Sequence, residues 1–135
     1  MNVKSKLRLA GMLALLAGVL GCSGQNEAQA RQYAESVLRM KDQGAFRAMY
    51  REEFNAKMRQ AMTEDQWAAT AEGVERLTGP LISRELKSSG YNFLFGLYRV
   101  RYKTQYQRFK GIDEVVISKE GDQFKVAGLW LKPDL

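Results

Sequence analysis

The sequence contains no histidine and a single cysteine, Cys22. Without histidine there is no Ser-His-Asp or Cys-His triad and no His-ligated zinc site. One cysteine excludes an internal disulfide and any cysteine cluster. No metal or organic cofactor is expected from the residues that remain. The apolar run Leu9–Leu20 has 12 residues, where a membrane-spanning helix needs about 20. What is present is ordinary globular composition: 135 residues, 45% hydrophobic and 27% charged. That is too apolar for disorder and short enough for one domain.

The first 21 residues have the form of an export signal. Lys4, Lys6 and Arg8 make a basic start, the apolar run follows, and Val19-Leu20-Gly21-Cys22 ends it. These last four residues resemble the lipobox of bacterial lipoproteins. The resemblance implies lipidation of the Cys22 thiol, cleavage before it, and acylation of the new amino group with a fatty acid such as palmitate. Ser23 follows the cysteine, where aspartate would favour the inner membrane. The resemblance therefore implies an outer-membrane lipoprotein facing the periplasm, held to the membrane through acyl chains on Cys22. Cleavage leaves 114 residues, and with Lys4, Lys6 and Arg8 gone, 18 basic residues stand against 15 acidic ones. The net charge drops from +6 to +3, which weakens any charge-based case for nucleic acid. Three segments are expected: a signal peptide over 1–21, a lipidated cysteine with a short tether over 22–26, and one α+β domain over 27–135.

Within the domain, Ala30, Tyr33, Ala34, Val37 and Leu38 recur at helical spacing, so a helix is expected over 27–41 with Asn26 as its N-cap. Phe46, Tyr50, Phe54, Met58 and Met62 continue every fourth residue, with an interruption expected near Glu52-Glu53. Thr63 followed by Gln66 has the form of a capping box. It opens a helix with the stripe Trp67, Ala71 and Val74, closed by Gly79-Pro80. After Pro80 the period becomes two. Strands are expected over 80–88, 93–109, 112–118 and 123–132, with turns at Ser88-Ser89-Gly90, Lys110-Gly111 and Glu120-Gly121-Asp122. Tyr98, Val100, Tyr102, Thr104 and Tyr106 alternate with Arg99, Arg101, Lys103, Gln105 and Gln107, the mark of a half-buried strand.

Helices followed by an antiparallel meander predict an α+β fold, with N-terminal helices packed on a curved four-stranded antiparallel sheet. That order resembles the nuclear transport factor 2-like cone, or cystatin-like fold. Several tracts are similar to small bacterial domains of unknown function with that fold: Asp42-Gln43-Gly44-Ala45-Phe46, Glu64-Asp65-Gln66-Trp67, Leu77-Thr78-Gly79-Pro80, Tyr98-Arg99-Val100-Arg101-Tyr102 and Gly121–Leu129. Relatives often carry tryptophan where Phe124 stands. The resemblance carries over no catalytic residues.

Three candidate sites follow. Cones of this type can hold an apolar pocket, whose lining here would be Trp67, Tyr98, Tyr102, Tyr106 and Trp130, unless these residues simply fill the core. Enzymes on the fold use a carboxylate base, but Glu85 and Glu114 show no shared dry face and are expected to be solvated, so no enzyme is expected. Arg99, Arg101 and Lys103 form a basic strip on the face opposite the tyrosines. Stacking platforms for nucleic acid want cations and aromatics together, so the strip suits anionic headgroups, lipopolysaccharide phosphates or an acidic envelope protein, if it is more than a solvated face. The expected function is a non-catalytic binding or envelope-structural role. The alternative is a pocket for a small apolar ligand, and less readily an enzyme of the cone fold.

Overall fold

The computed structural model describes residues 22–134. The signal peptide expected over 1–21 lies outside the described residues. The first helix, α1, spans Cys22–Asp42. It reaches back through the five residues expected to form a tether, so Asn26 lies inside the helix and does not cap it. Its buried stripe is Ala30, Ala34, Val37 and Leu38. The two alanines let the helix lie close on the sheet, against Val100, Tyr102, Val115 and Ile117.

Gly44, at φ 74°, ends α1. A short helix α2, Phe46–Ala48, then runs into a π-helical turn, Met49–Glu53. The five-residue step is closed by the Phe54 amide donating to the Met49 carbonyl at 2.9 Å. The helical run expected over 45–62 is therefore broken after Glu53, as the residues suggested. Phe54 is extended and forms a parallel bridge with Val126, tying the helical layer to the last strand. Asn55 caps α3, Ala56–Ala61, by accepting from the Met58 amide at 2.9 Å. The capping box of Thr63 and Gln66 opens α4, Glu64–Thr78, and Gly79 closes it.

Four strands follow in sequence order: β1 Leu81–Asn92, β2 Leu97–Tyr106, β3 Phe109–Glu120 and β4 Gln123–Pro133. All pairs are antiparallel. The fold is α+β, four helices and an open four-stranded antiparallel sheet, consistent with a cone. Two expected turns are displaced. Ser88-Ser89-Gly90 stays in the ladder opposite Arg101, Val100 and Arg99, with only a register shift at Leu86/Ser88. The hairpin instead turns at Phe93-Leu94-Phe95-Gly96, where Gly96 takes φ 65°. Gly111 lies within β3, and the β2–β3 turn falls at Gln107-Arg108.

The core has two lobes. One joins α1 to the sheet through Tyr98, Val100, Tyr102, Val115 and Ile117. The other gathers Val37, Phe46, Met49, Phe54, Trp67 and Ala71 from the helical layer around Val126 of β4. Tyr33 and Leu129 pack against both.

Candidate functional site: two buried carboxylates on one strand

β3 is the most protected strand, buried on both faces from Gly111 to Ile117. In its middle stand two adjacent carboxylates, Asp113 and Glu114, only 0% and 1% exposed. Successive strand side chains point to opposite faces. Asp113 therefore faces the helices and Glu114 faces outward. A buried charge persists only if it is paired and hydrogen-bonded, and each carboxylate has its own set of cations.

On the inner face, Asp113 Oδ1 accepts from Lys41 Nζ at 2.9 Å. Its Oδ2 accepts from the Tyr106 hydroxyl at 2.6 Å and from an Arg84 guanidinium nitrogen at 2.9 Å. Tyr106 also accepts from Lys41 and from Arg84, each at 2.9 Å. Arg84 forks onto Asp42 at 2.6 and 3.1 Å. Two cations and two anions thus balance, and the network joins the end of α1 to three strands. Burial alone would push the Asp113 carboxyl up. The Lys41 charge, the Tyr106 hydrogen bond and the Arg84 charge outweigh it and hold the carboxyl below the usual aspartate range. Burial, then the charge and hydrogen bond of Asp113, push the Tyr106 hydroxyl far above its ordinary value. Asp113 is ionised with both oxygens engaged, and Tyr106 keeps its proton. Neither group is poised as a base.

On the outer face, Glu114 Oε1 meets Arg99 Nε at 2.8 Å and Arg101 Nε at 3.4 Å, while Oε2 meets Lys132 Nζ at 2.5 Å. These side chains drape over the carboxylate and hide it from water. Burial raises its pKa, but Lys132, Arg99 and Arg101 outweigh that effect and hold it below the usual glutamate range. Glu114 was expected to be solvated. The structure corrects this, because long cationic side chains from both neighbouring strands cover it. Three cations on one carboxylate leave two positive charges in excess. Lys103 lies further along the same face, opposite Glu85 and Ile112. It is exposed and makes no ion pair among the described residues. Glu85 is exposed, as expected.

The expected pocket lining is dispersed. Trp67 sits in the helical lobe, its ring 4.8 Å from Phe54, its indole N–H donating to the Phe46 carbonyl at 2.8 Å. Tyr98 and Tyr102 pack beneath α1. Trp130 is 48% exposed on the outer face, opposite Glu114 in the β3–β4 ladder. Its ring lies over Gly128, where even a Cβ atom would overlap it. Of the five, Tyr106 alone lines a cleft of about 440 Å³ between the ends of α1 and α4 and the start of β1. Lys41, Phe46, Ala71, Val74 and Glu75 share that lining. Arg108 also lines the cleft and donates to the Leu77 and Arg76 carbonyls at 3.3 and 2.6 Å, which caps α4.

Lys41, Arg84, Asp113 and Lys132 were not singled out from the sequence. One signal was available: two carboxylates inside the otherwise apolar run Ile112–Ile117. Their partners were not recoverable, since they lie on other elements. Among the described residues no group of three or more His, Cys, Asp or Glu side chains is placed to hold a metal, and no helix is long and apolar enough to cross a membrane.

No curated protein and no solved structure matches the chain. A family model does, that of a protein family of unknown function, DUF4019, over residues 33–129. That span covers well over half of the chain and includes both carboxylates and all their partners except Lys132, so the chain belongs to the DUF4019 family.

Proposed function

We propose that the protein is a lipid-anchored envelope lipoprotein, held to the outer membrane through Cys22 and facing the periplasm, whose domain binds an anionic partner without catalysis. The domain is read as a nuclear transport factor 2-like cone, supported by a helical layer on one face of a bulged antiparallel meander. The observation that carries the binding role is the outer face of the sheet. There Arg99, Arg101 and Lys132 converge on one carboxylate and leave excess positive charge beside the exposed Lys103 and Trp130. Lysine and arginine stems lie along the sheet and keep their heads at the surface. A phosphorylated sugar or an acidic protein segment would meet them already ordered. The saturated Asp113 supports a structural role for the inner face.

The test uses the lipidated protein in zwitterionic vesicles and deacylated lipopolysaccharide as a soluble polyanion. Lys103→Gln should weaken salt-sensitive binding. Glu114→Gln frees the cations from their internal carboxylate and should strengthen it. Equal binding by all three proteins would reject the outer face as the site. The anchor has its own test: Cys22→Ser should leave an unprocessed chain without acyl adducts in intact-mass spectrometry.

The cleft supports a second reading, a small apolar ligand over Phe46, Ala71 and Val74 with Tyr106 and Lys41 at one wall. Val74→Trp would fill that space. Loss of a ligand co-purifying with the wild type, with the fold intact, would favour this reading.

A further inference from the structure

The β1–β2 hairpin ends in an unusual way. Phe93, Leu94 and Phe95 are 80%, 76% and 73% exposed. Turns are normally built from glycine, proline, asparagine, aspartate and serine. Here Asn92 and Gly96 supply the turn chemistry, Asn92 Oδ1 accepting from the Leu94 amide at 3.0 Å. The three residues between them are free to present apolar side chains. The whole stretch Ser88–Tyr98 carries no charge, and Lys87 and Arg99 flank it. Behind the tip, Tyr91 packs on Tyr98 with ring centroids 4.6 Å apart, so the hairpin is braced.

The position of this tip follows from two contacts along α1. Asp42 takes the Arg84 fork, and Arg31 reaches Ser89 Oγ at 3.4 Å. From Arg31 to Asp42 the helix advances about 16 Å, and from Arg84 to Ser89 the strand advances about the same. The two elements therefore run side by side in opposite directions. From the shared level of Arg31 and Ser89, the helix runs back about 13 Å to Cys22, and the strand runs on about 16 Å to Leu94. The first helical residue and the apolar tip lie at the same end of the molecule, at nearly the same height.

We infer that Phe93-Leu94-Phe95 inserts into the interfacial layer of the bilayer that holds the acyl chains on Cys22, so that the domain stands tip-down on the membrane. The inference rests on the anchoring proposed above. A helical Cys22–Glu27 leaves no slack with which to lift the tip away. Aromatic residues favour the membrane–water interface, and no charge within Ser88–Tyr98 has to be desolvated when the tip enters it. A second protein chain fits less well: two phenylalanines and a leucine offer at most about 600 Å², below the ~800 Å² per partner of a stable interface.

The test uses the full lipidated protein in anionic vesicles. With the Cys22 thiol blocked by its lipid, Leu94→Cys provides one reactive thiol for an environment-sensitive fluorophore, and Lys110→Cys provides a control at the opposite end of the sheet. The label at 94 should be blue-shifted and quenched by nitroxide lipids, and the label at 110 should be neither. Adding Phe93→Ser and Phe95→Ser to the Leu94→Cys protein should abolish the quenching. A water-like label at 94 on a protein that still floats with the vesicles overturns the inference and leaves the anchor standing. A blue shift without quenching overturns it in favour of a protein covering the tip. Quenching that survives the two serines assigns insertion to the fluorophore and also overturns it. A chain with no acyl adduct that does not float overturns the anchor and the inference together.

Discussion

Asp113→Asn removes one charge and changes almost no volume, so it isolates the inner network. Asp113 is wholly buried and accepts from Lys41, Arg84 and Tyr106. The substituted amide has one acceptor oxygen and one donor nitrogen. It can still accept from two of these groups, but its NH2 then faces the third donor. Lys41 loses the one carboxylate it pairs with among the described residues, and Arg84 retains Asp42. Breaking a buried ion pair from one side costs about 3–5 kcal/mol. A urea m-value near 1.5 kcal/mol/M is reasonable for this size, so the unfolding midpoint should fall by roughly 2–3 M. The pH dependence carries a second signature. The folded carboxyl lies below its unfolded value near 3.9. Its contribution is therefore present in full above that value and is lost as pH falls through the lowered one. Urea midpoints measured from pH 7 down to pH 3 should drop in the wild type and drop less in Asp113→Asn. The slope should be reduced but not removed, because Glu114 acts with the same sign. A midpoint shift below about 0.5 M, or an unchanged acid slope, would refute the network as a source of stability.

Trp67→Ala should cost about 3–5 kcal/mol, since it empties the centre of the helical lobe and removes the indole hydrogen bond to the Phe46 carbonyl; an unchanged urea midpoint would contradict the lobe. Arg99→Gln with Arg101→Gln should destabilise by about 1–2 kcal/mol, a modest figure because both side chains are about half exposed. Adding Glu114→Gln should restore the midpoint, and failure to do so would mean that the arginines act through packing alone.

The parts of the fold that depend on near neighbours were legible. The alternation in β2 predicted its buried and exposed faces, because the period of two is a local property. The capping box of Thr63 and Gln66 was visible for the same reason. The β1–β2 turn was misplaced because Ser88-Ser89-Gly90 has turn composition, while Phe93-Leu94-Phe95 looks like strand. Pairing with β2 decides the matter, and that is a tertiary fact. The candidate site was the least legible. Asp113 meets Lys41 from 72 residues away and Arg84 from 29. Lys41 reads as a last-turn helix cation and Arg84 as a solvated strand residue until the chain folds. Aromatic residues misled in the other direction. Trp130 suggested a pocket wall, but the missing side chain at Gly128 gives its ring a seat on the outer face.

The two proposed surfaces constrain each other. Along β2, Arg99 lies about 16 Å from Leu94, and Lys103 lies about 30 Å away. Charge interactions in solution fade over about 8 Å at physiological ionic strength. With the tip in the bilayer and the strands upright, Arg99 is some two screening lengths from the headgroups and Lys103 nearly four. The outer face therefore cannot act as one patch against the membrane that anchors it. Its upper part must meet something that stands away from that membrane. Lys103→Gln should accordingly weaken binding of a soluble polyanion and leave the tip label's quenching equal in zwitterionic and anionic vesicles. If instead Lys103→Gln lowers quenching only on anionic vesicles, the sheet lies flat on the lipid. The outer face would then be the membrane-binding surface, and the upright geometry would be wrong.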